Sequence, residues 1–113
     1  MKIVESAQKA VEILNQHKVA DVKVIDVSEQ TPFSSNYVLG TLDNERALAA
    51  VADDLAEKLE DSGFKIRSIE GTPNSGWVLV DADDVIVHLF MPYKRKELAL
   101  EDLLEKRGSR GKK

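Results

Sequence analysis

Cysteine is absent from this chain of 113 residues. Disulfides, thiolate catalysis and zinc–thiolate sites are excluded with it. Histidine is scarce: His17 and His88 are the two present, far apart in sequence. A transition-metal site asks for several imidazole or thiolate ligands close together, and these two do not supply them. No Walker loop, dinucleotide glycine pattern or G-x-S-x-G elbow occurs. Aromatics are few, with one Trp, two Tyr and three Phe. No apolar run is long enough to span a bilayer. The opening stretch MKIVESAQKAVEIL lacks the charged, apolar, then small-residue layout of a signal peptide. A cytoplasmic protein without a membrane contact is therefore expected.

What is present is charge, unevenly spread. The net charge is −4, yet the last eight residues hold five Lys and Arg and no acid. Residues 1–105 thus carry 20 acids against 11 bases, a formal charge of −9. Such a body is a poor general binder of nucleic acid and suits a basic partner protein. The length fits one domain with a single core. We expect that domain over residues 1–105, followed by a disordered basic tail over 106–113. The tail reads either as a solvated terminus or as a peripheral contact to RNA phosphates.

Residues Ser6–His17 place Ala7, Ala10, Val11 and Leu14 on one helical face. Val22–Val27 and Tyr37–Thr41 read as strands, separated by the Pro- and Ser-containing loop Ser28–Asn36. Asp43 is the expected N-cap of a helix carrying Leu48, Val51, Leu55 and Leu59, and Ser62-Gly63 its stop. Phe64–Ile69 is a third strand. Pro92 ends the last strand, and Tyr93–Lys106 reads as a final amphipathic helix. The order helix, strand, strand, helix, strand, strand, strand, helix predicts an α/β chain of α+β type. Its single mixed sheet, about five strands, is covered by helices.

The densest signal lies in Trp77–Val80 and Val85–Phe90, flanking Asp81-Ala82-Asp83-Asp84. Two strands joined by a tight turn follow. An even turn sets Trp77 opposite either His88 or Phe90. Both pairings put Val78, Val80, Val85, Val87 and Leu89 on one wholly aliphatic face, an assignment that a three-residue bulged loop would break. Trp77, Leu79, Asp81, Ile86, His88 and Phe90 share the other, a mixture that suits recognition better than packing. Asp81 and Asp83 have the D-x-D spacing that grips Mg²⁺ for nucleotidyl transfer, and they equally solvate a turn and blunt an edge. His88 has an acid–base pKa range but no nucleophile partner, and reads otherwise as a structural His beside Trp77 or Asp81. Trp77 is either a core Trp or an interface anchor. Met91, Pro92 and Tyr93 would extend its patch, and Lys94-Arg95-Lys96 would rim it.

Taken in order, these residues resemble the Iojap/RsfS family, the ribosomal silencing factors. The resemblance rests on Glu70-Gly71, Trp77 to Asp81, Asp84, His88-Leu89-Phe90, Pro92, Arg95 and Leu100-Glu101-Asp102-Leu103. Asp26-Val27-Ser28, Ser34-Ser35, Tyr37-Val38 and the Ala47–Leu59 helix extend it over roughly Val4 to Leu104. The chain departs from the family at Leu98 and Leu104, where members carry aromatics. It departs again at Gly40-Thr41-Leu42, where members have Thr-Gly. The resemblance implies a sheet related to the nucleotidyltransferase fold without its catalytic site, and no cofactor. It implies a translation repressor on the large ribosomal subunit, seated on the universal large-subunit protein fourteen and blocking subunit joining. Self-association through the same sheet face is a further implication. The partner-binding residues expected are Glu70, Trp77, Asp81, His88, Met91, Tyr93 and Arg95. Two alternatives stand beside it: a nucleotidyltransferase-like enzyme using the Asp81–Asp84 turn, and a large-subunit assembly chaperone.

Overall fold

Apolar side chains at helical spacing fold the first segment into α1, Glu5–Gln16, which buries Ala7, Ala10, Ile13 and Leu14 along one stripe. In the computed structural model, which describes residues 2–32 and 34–100, two strands follow, β1 (Ala20–Asp26) and β2 (Asn36–Thr41). Then come α2 (Glu45–Asp61), β3 (Ile66–Thr72), a 3₁₀ turn (Pro73–Ser75), β4 (Trp77–Ala82), β5 (Val85–Phe90) and α3 (Pro92–Leu98). The order of elements is the expected one.

The sheet order is β1-β2-β5-β4-β3. Neighbours are antiparallel except β2 and β5, which run parallel across the α2 crossover. This is a mixed five-stranded α+β sheet, as expected, with its two long helices on one side. Helices α1 and α2 lie together over the face that carries Val38, Val78, Val80, Ala82, Val85, Val87 and Leu89. Leu48, Val51, Leu55 and Leu59 of α2 fill the same core. Each such side chain, fully buried, stabilises the fold by ~1.5–3 kcal/mol. The opposite face has a smaller cluster, Ile25, Val27, Leu39 and Phe90, with Trp77, Tyr37, Leu98 and Leu100 packed on its margin.

Two local expectations need correction. Asn44, not Asp43, caps α2: its side chain accepts the Ala47 backbone N–H at 2.8 Å. The final helix is interrupted. It starts at Pro92 and stops at Leu98, with Ala99 left-handed at φ 47°. In an unbroken helix Leu98 and Leu100 would point to opposite sides. The break lets both reach the second cluster. The remainder of that predicted helix and the tail over 106–113 lie outside the described residues. The stop of α2 is as expected: Gly63 is left-handed at φ 94°, and the Phe64 N–H returns to the Leu59 carbonyl at 3.0 Å.

Candidate functional site

Strand alternation generates the site. Across β4 and β5 the pairs are Trp77 with Phe90, Leu79 with His88 and Asp81 with Ile86. Of the two registers open to the sequence, the structure therefore selects Trp77 opposite Phe90, across the two-residue turn Asp83-Asp84. On the far side of β4, Trp77 pairs with Thr72, Leu79 with Glu70 and Asp81 with Ser68 of β3. On the far side of β5, His88 pairs with Leu39 and Ile86 with Tyr37 of β2. Directly paired residues share a face. The face away from α1 and α2 thus gathers Trp77, Leu79, Asp81, Tyr37, Ile86 and Glu70 over a floor of His88 and Phe90.

Four rings interlock there. Trp77 stacks on His88 and on Phe90, each at 6.0 Å between centroids, and Tyr37 leans on His88 at 4.5 Å. Phe90 is fully buried and His88 is 4% exposed, whereas Trp77 and Tyr37 are half-buried. The indole Nε1–H of Trp77 donates to His88 Nδ1 at 3.3 Å. Burial pushes the His88 pKa down from 6.5 to about 4, so the ring is neutral near pH 7. Burial, and then the negative charge of Asp81, raise the Tyr37 phenol above its usual value.

Charge rims the rings. Arg67 donates to Asp81 Oδ1 from Nη2 at 2.8 Å and from Nε at 3.2 Å, and also to the Asp83 carbonyl. Glu70 is exposed on the outer strand β3, beside the Ser68 hydroxyl at 3.3 Å. Tyr93 is 57% exposed, its hydroxyl 3.5 Å from the Ser75 carbonyl and close over Gly76.

Met91 and Arg95 stand differently from the patch and rim expected of them. Met91 is half-buried and packs toward the main core under α1 and α2. Arg95 donates from one nitrogen to the Asp21 carbonyl at 2.7 Å and the Thr41 hydroxyl at 2.8 Å, tying α3 to β1 and β2. Tyr37 and Arg67 were not anticipated. The alternation of β2 places Tyr37 on one face, but only the parallel β2–β5 pairing, a long-range contact, brings it to His88.

The acidic turn does not assemble as a metal grip. Asp81 faces the sheet and is engaged by Arg67, while Asp83 sits exposed in the turn at φ 50°. Among the described residues no group of three or more His, Asp or Glu side chains is arranged to hold a metal. Nor is any helix among them long and apolar enough to cross a membrane.

A half-exposed aromatic face on a rigid sheet, rimmed by charge, is the anatomy of a macromolecular contact surface. The chain matches, over residues 1–112, the family model described as "Ribosomal silencing factor during starvation", and it belongs to that family. It is 35% identical over 103 residues to Ribosomal silencing factor RsfS of Chromobacterium violaceum, covering 91% of this chain and 84% of that protein. An X-ray crystal structure of a protein from Chromobacterium violaceum superimposes with a TM-score of 0.85 at 34% identity, covering 93% of this chain and 88% of that one. The chain is also 30% identical over 98 residues to the Mus musculus protein named "Mitochondrial assembly of ribosomal large subunit protein 1". That match covers 82% of this chain and 42% of the mouse protein. The family is thus named for silencing ribosomes, not for a catalysed reaction.

Proposed function

We propose that this chain represses translation by docking on the large ribosomal subunit through the Trp77 face, on the universal large-subunit protein fourteen. The bulk of the domain then prevents the small subunit from joining. One observation carries the reading: a chain of the silencing-factor family has a ring-lined sheet face on the side away from α1 and α2, where among the described residues only Leu98 and Leu100 reach its margin from the end of α3. Trp77 is the central anchor. Leu79 and Tyr37 widen the apolar contact, and Asp81, Glu70 and Tyr93 form its rim. His88 supports Trp77 from behind, and Arg95 fastens α3, which carries Tyr93, to β1 and β2. A domain body of −9 meets a basic ribosomal protein, which speeds and orients encounter. The mechanism needs occupancy and volume, and no cofactor. The basic residues at 106–113 would touch ribosomal RNA phosphates at the margin. A homodimer built on the same face would exclude the ribosomal contact.

The test is sedimentation. The protein should pellet with isolated large subunits and not with small ones. Added before the subunits are mixed, it should lower the fraction of complete ribosomes in a sucrose gradient. Trp77→Ala should weaken binding about thirtyfold, the loss of a ~2 kcal/mol anchor. Its cost to the fold should stay below the ~3–5 kcal/mol of a core Trp deletion. Undiminished joining at saturating protein would refute the steric block. A second reading, an assembly factor held on the immature large subunit, is favoured by the name of the mouse relative. Protein retained on precursor subunits but absent from mature ones would select it.

A further inference from the structure

The ring cluster contains a group that docking alone does not use. His88 is 96% shielded, in the middle of β5 between Leu39 and Leu79, and at 4% exposure it cannot itself meet a partner. Its chemistry is nevertheless specified by its neighbour. An indole N–H can only donate. Nδ1 of His88 must therefore accept from Trp77, and the ring proton must sit on Nε2. Nε2 is buried and has no hydrogen-bond partner among the described residues. A residue chosen for stability alone would not leave a buried N–H unanswered, because an apolar ring of similar shape avoids that penalty. Trp77, His88 and Phe90 stack on one another, at interplanar angles of 20° for Trp77 with His88, 8° for His88 with Phe90 and 16° for Trp77 with Phe90, while Tyr37 is tilted against His88 at 49°. The hydrogen bond adds to this stack the one thing stacking lacks, a fixed in-plane rotation of the indole.

We infer that His88 is the positioning residue of the docking face: its Nδ1 holds the Trp77 indole in the single orientation that the large-subunit partner meets. The inference rests on the docking reading above and is separable from it by experiment. A half-exposed Trp without this acceptor would sample several rotations about its side-chain bonds. The partner would then have to select one, and affinity falls by the fraction that is competent.

Three variants decide the matter, with Trp77 as its own reporter, since the chain has one Trp and hence one indole N–H resonance. His88→Phe keeps a stacked ring and removes the acceptor. His88→Asn keeps an acceptor near the position of Nδ1 and removes the ring. His88→Leu is a smaller acceptor-free replacement should Phe overfill the site. Expected for His88→Phe or His88→Leu is an indole N–H that exchanges faster with solvent, and large-subunit binding weakened about five- to tenfold. The thermal midpoint of His88→Phe should be unchanged or raised, because the unanswered Nε2–H is gone. His88→Asn should restore indole protection and recover at least part of the affinity. An unchanged indole resonance in His88→Phe, or equal binding loss in the Asn and acceptor-free variants, overturns the positioning role and leaves docking intact. Full binding by Trp77→Ala would instead sink the docking reading itself, and the positioning role with it.

Discussion

Replacing Gly71 by Ala should be the most damaging of the glycine-to-alanine changes among the described residues, and the structure says by how much and through which atoms. Gly71 sits near the end of β3, paired with Val78 and one residue before the partner of Trp77. Its φ is 82°, in the left-handed region. A Cβ there would lie 2.2 Å from the Trp77 carbonyl oxygen, a backbone atom that cannot swing aside. Gly63, after α2, supplies the control within the same protein. Its φ is 94°, and a Cβ there would meet nothing within 4 Å. Both substitutions carry the left-handed penalty of ~1–2 kcal/mol, slightly offset by reduced freedom of the unfolded chain. Only Gly71→Ala adds the collision, which must displace β4 from β3. We expect Gly63→Ala to cost about 1 kcal/mol and Gly71→Ala about 3 kcal/mol or more. With a urea slope of roughly 2 kcal/mol/M for a domain of this size, the midpoints should fall by about 0.5 M and about 1.5 M. Equal midpoint shifts for the two would refute the reasoning, because they would mean that β4 yields to the methyl group without cost. The same displacement carries Trp77 with it, so Gly71→Ala should also weaken large-subunit binding in whatever fraction remains folded.

Three further outcomes follow from single contacts. Asn44→Ala should lower stability by ~1 kcal/mol through loss of the α2 cap, whereas Asp43→Ala should leave the melting point nearly unchanged; the opposite ranking would return the cap to Asp43. Acid should destabilise the protein between pH 6.5 and 4 through His88, whose folded pKa is about 4 against 6.5 unfolded. In that window the unfolded chain binds the extra proton, so stability is intact above pH 6.5 and falls by about 3 kcal/mol by pH 4. The lowered carboxyls of Asp26, bonded by Ser28, and Asp54, bonded by His17, lose their contribution only as pH falls below their unfolded value of 3.8. Melts of His88→Phe should therefore lack the slope above pH 4 and keep the one below it. Nucleoside triphosphates with Mg²⁺ should not raise the melting point, since an open turn with few carboxylates does not strip Mg²⁺ of its waters. A ligand at a hundred times its dissociation constant would add ~2.7 kcal/mol. A nucleotide-dependent shift abolished by Asp83→Asn would promote the enzyme reading.

Local periodicity made much of this legible. The hairpin alternates with period two on either side of a short turn, so its aliphatic and mixed faces separate on sequence alone. The helices were visible for the same reason, at period 3.6. What stayed hidden was what depends on distant partners. Nothing in the sequence says that β2 lies parallel beside β5, and without that pairing Tyr37 has no relation to His88. The same ignorance concealed how far His88 is buried: a mixed face reads as wet until Tyr37, Phe90 and Trp77 close around it. Asp43 and Asn44 are both good caps, and which one lies at the first turn depends on where the chain leaves β2. The break at Ala99 is likewise tertiary, since Leu98 and Leu100 pack on one apolar cluster that positions two apart in an unbroken helix could not both reach. In sequence Arg67 is one of two bases that alternate with apolar residues between Phe64 and Arg67, and nothing local marks its partner. Its role comes from the β3 register shift between Ile66 and Ser68, which sets it beside Asp81.

The two faces of the sheet differ in how much apolar surface they bury, and on the proposed function this divides the work of stability and recognition. The helix-covered side holds nearly all the large aliphatic side chains, so folding does not depend on Trp77 being dry. The ring side is then free to be tuned for contact. Mounting it on strands rather than loops matters for affinity. Ordering a flexible side chain at an interface costs about 0.5–1.5 kcal/mol each, and rings already stacked on a buried floor avoid most of that cost. The exposed ion pair of Arg67 with Asp81 adds little to the fold, as surface pairs do. Its placement beside the rings gives the face a directed charge pattern instead. A factor that acted by occupying space, as proposed, would need no moving part. It would need a surface that is correct before the partner arrives, and on that proposal the stack built on Phe90 and His88 would supply one.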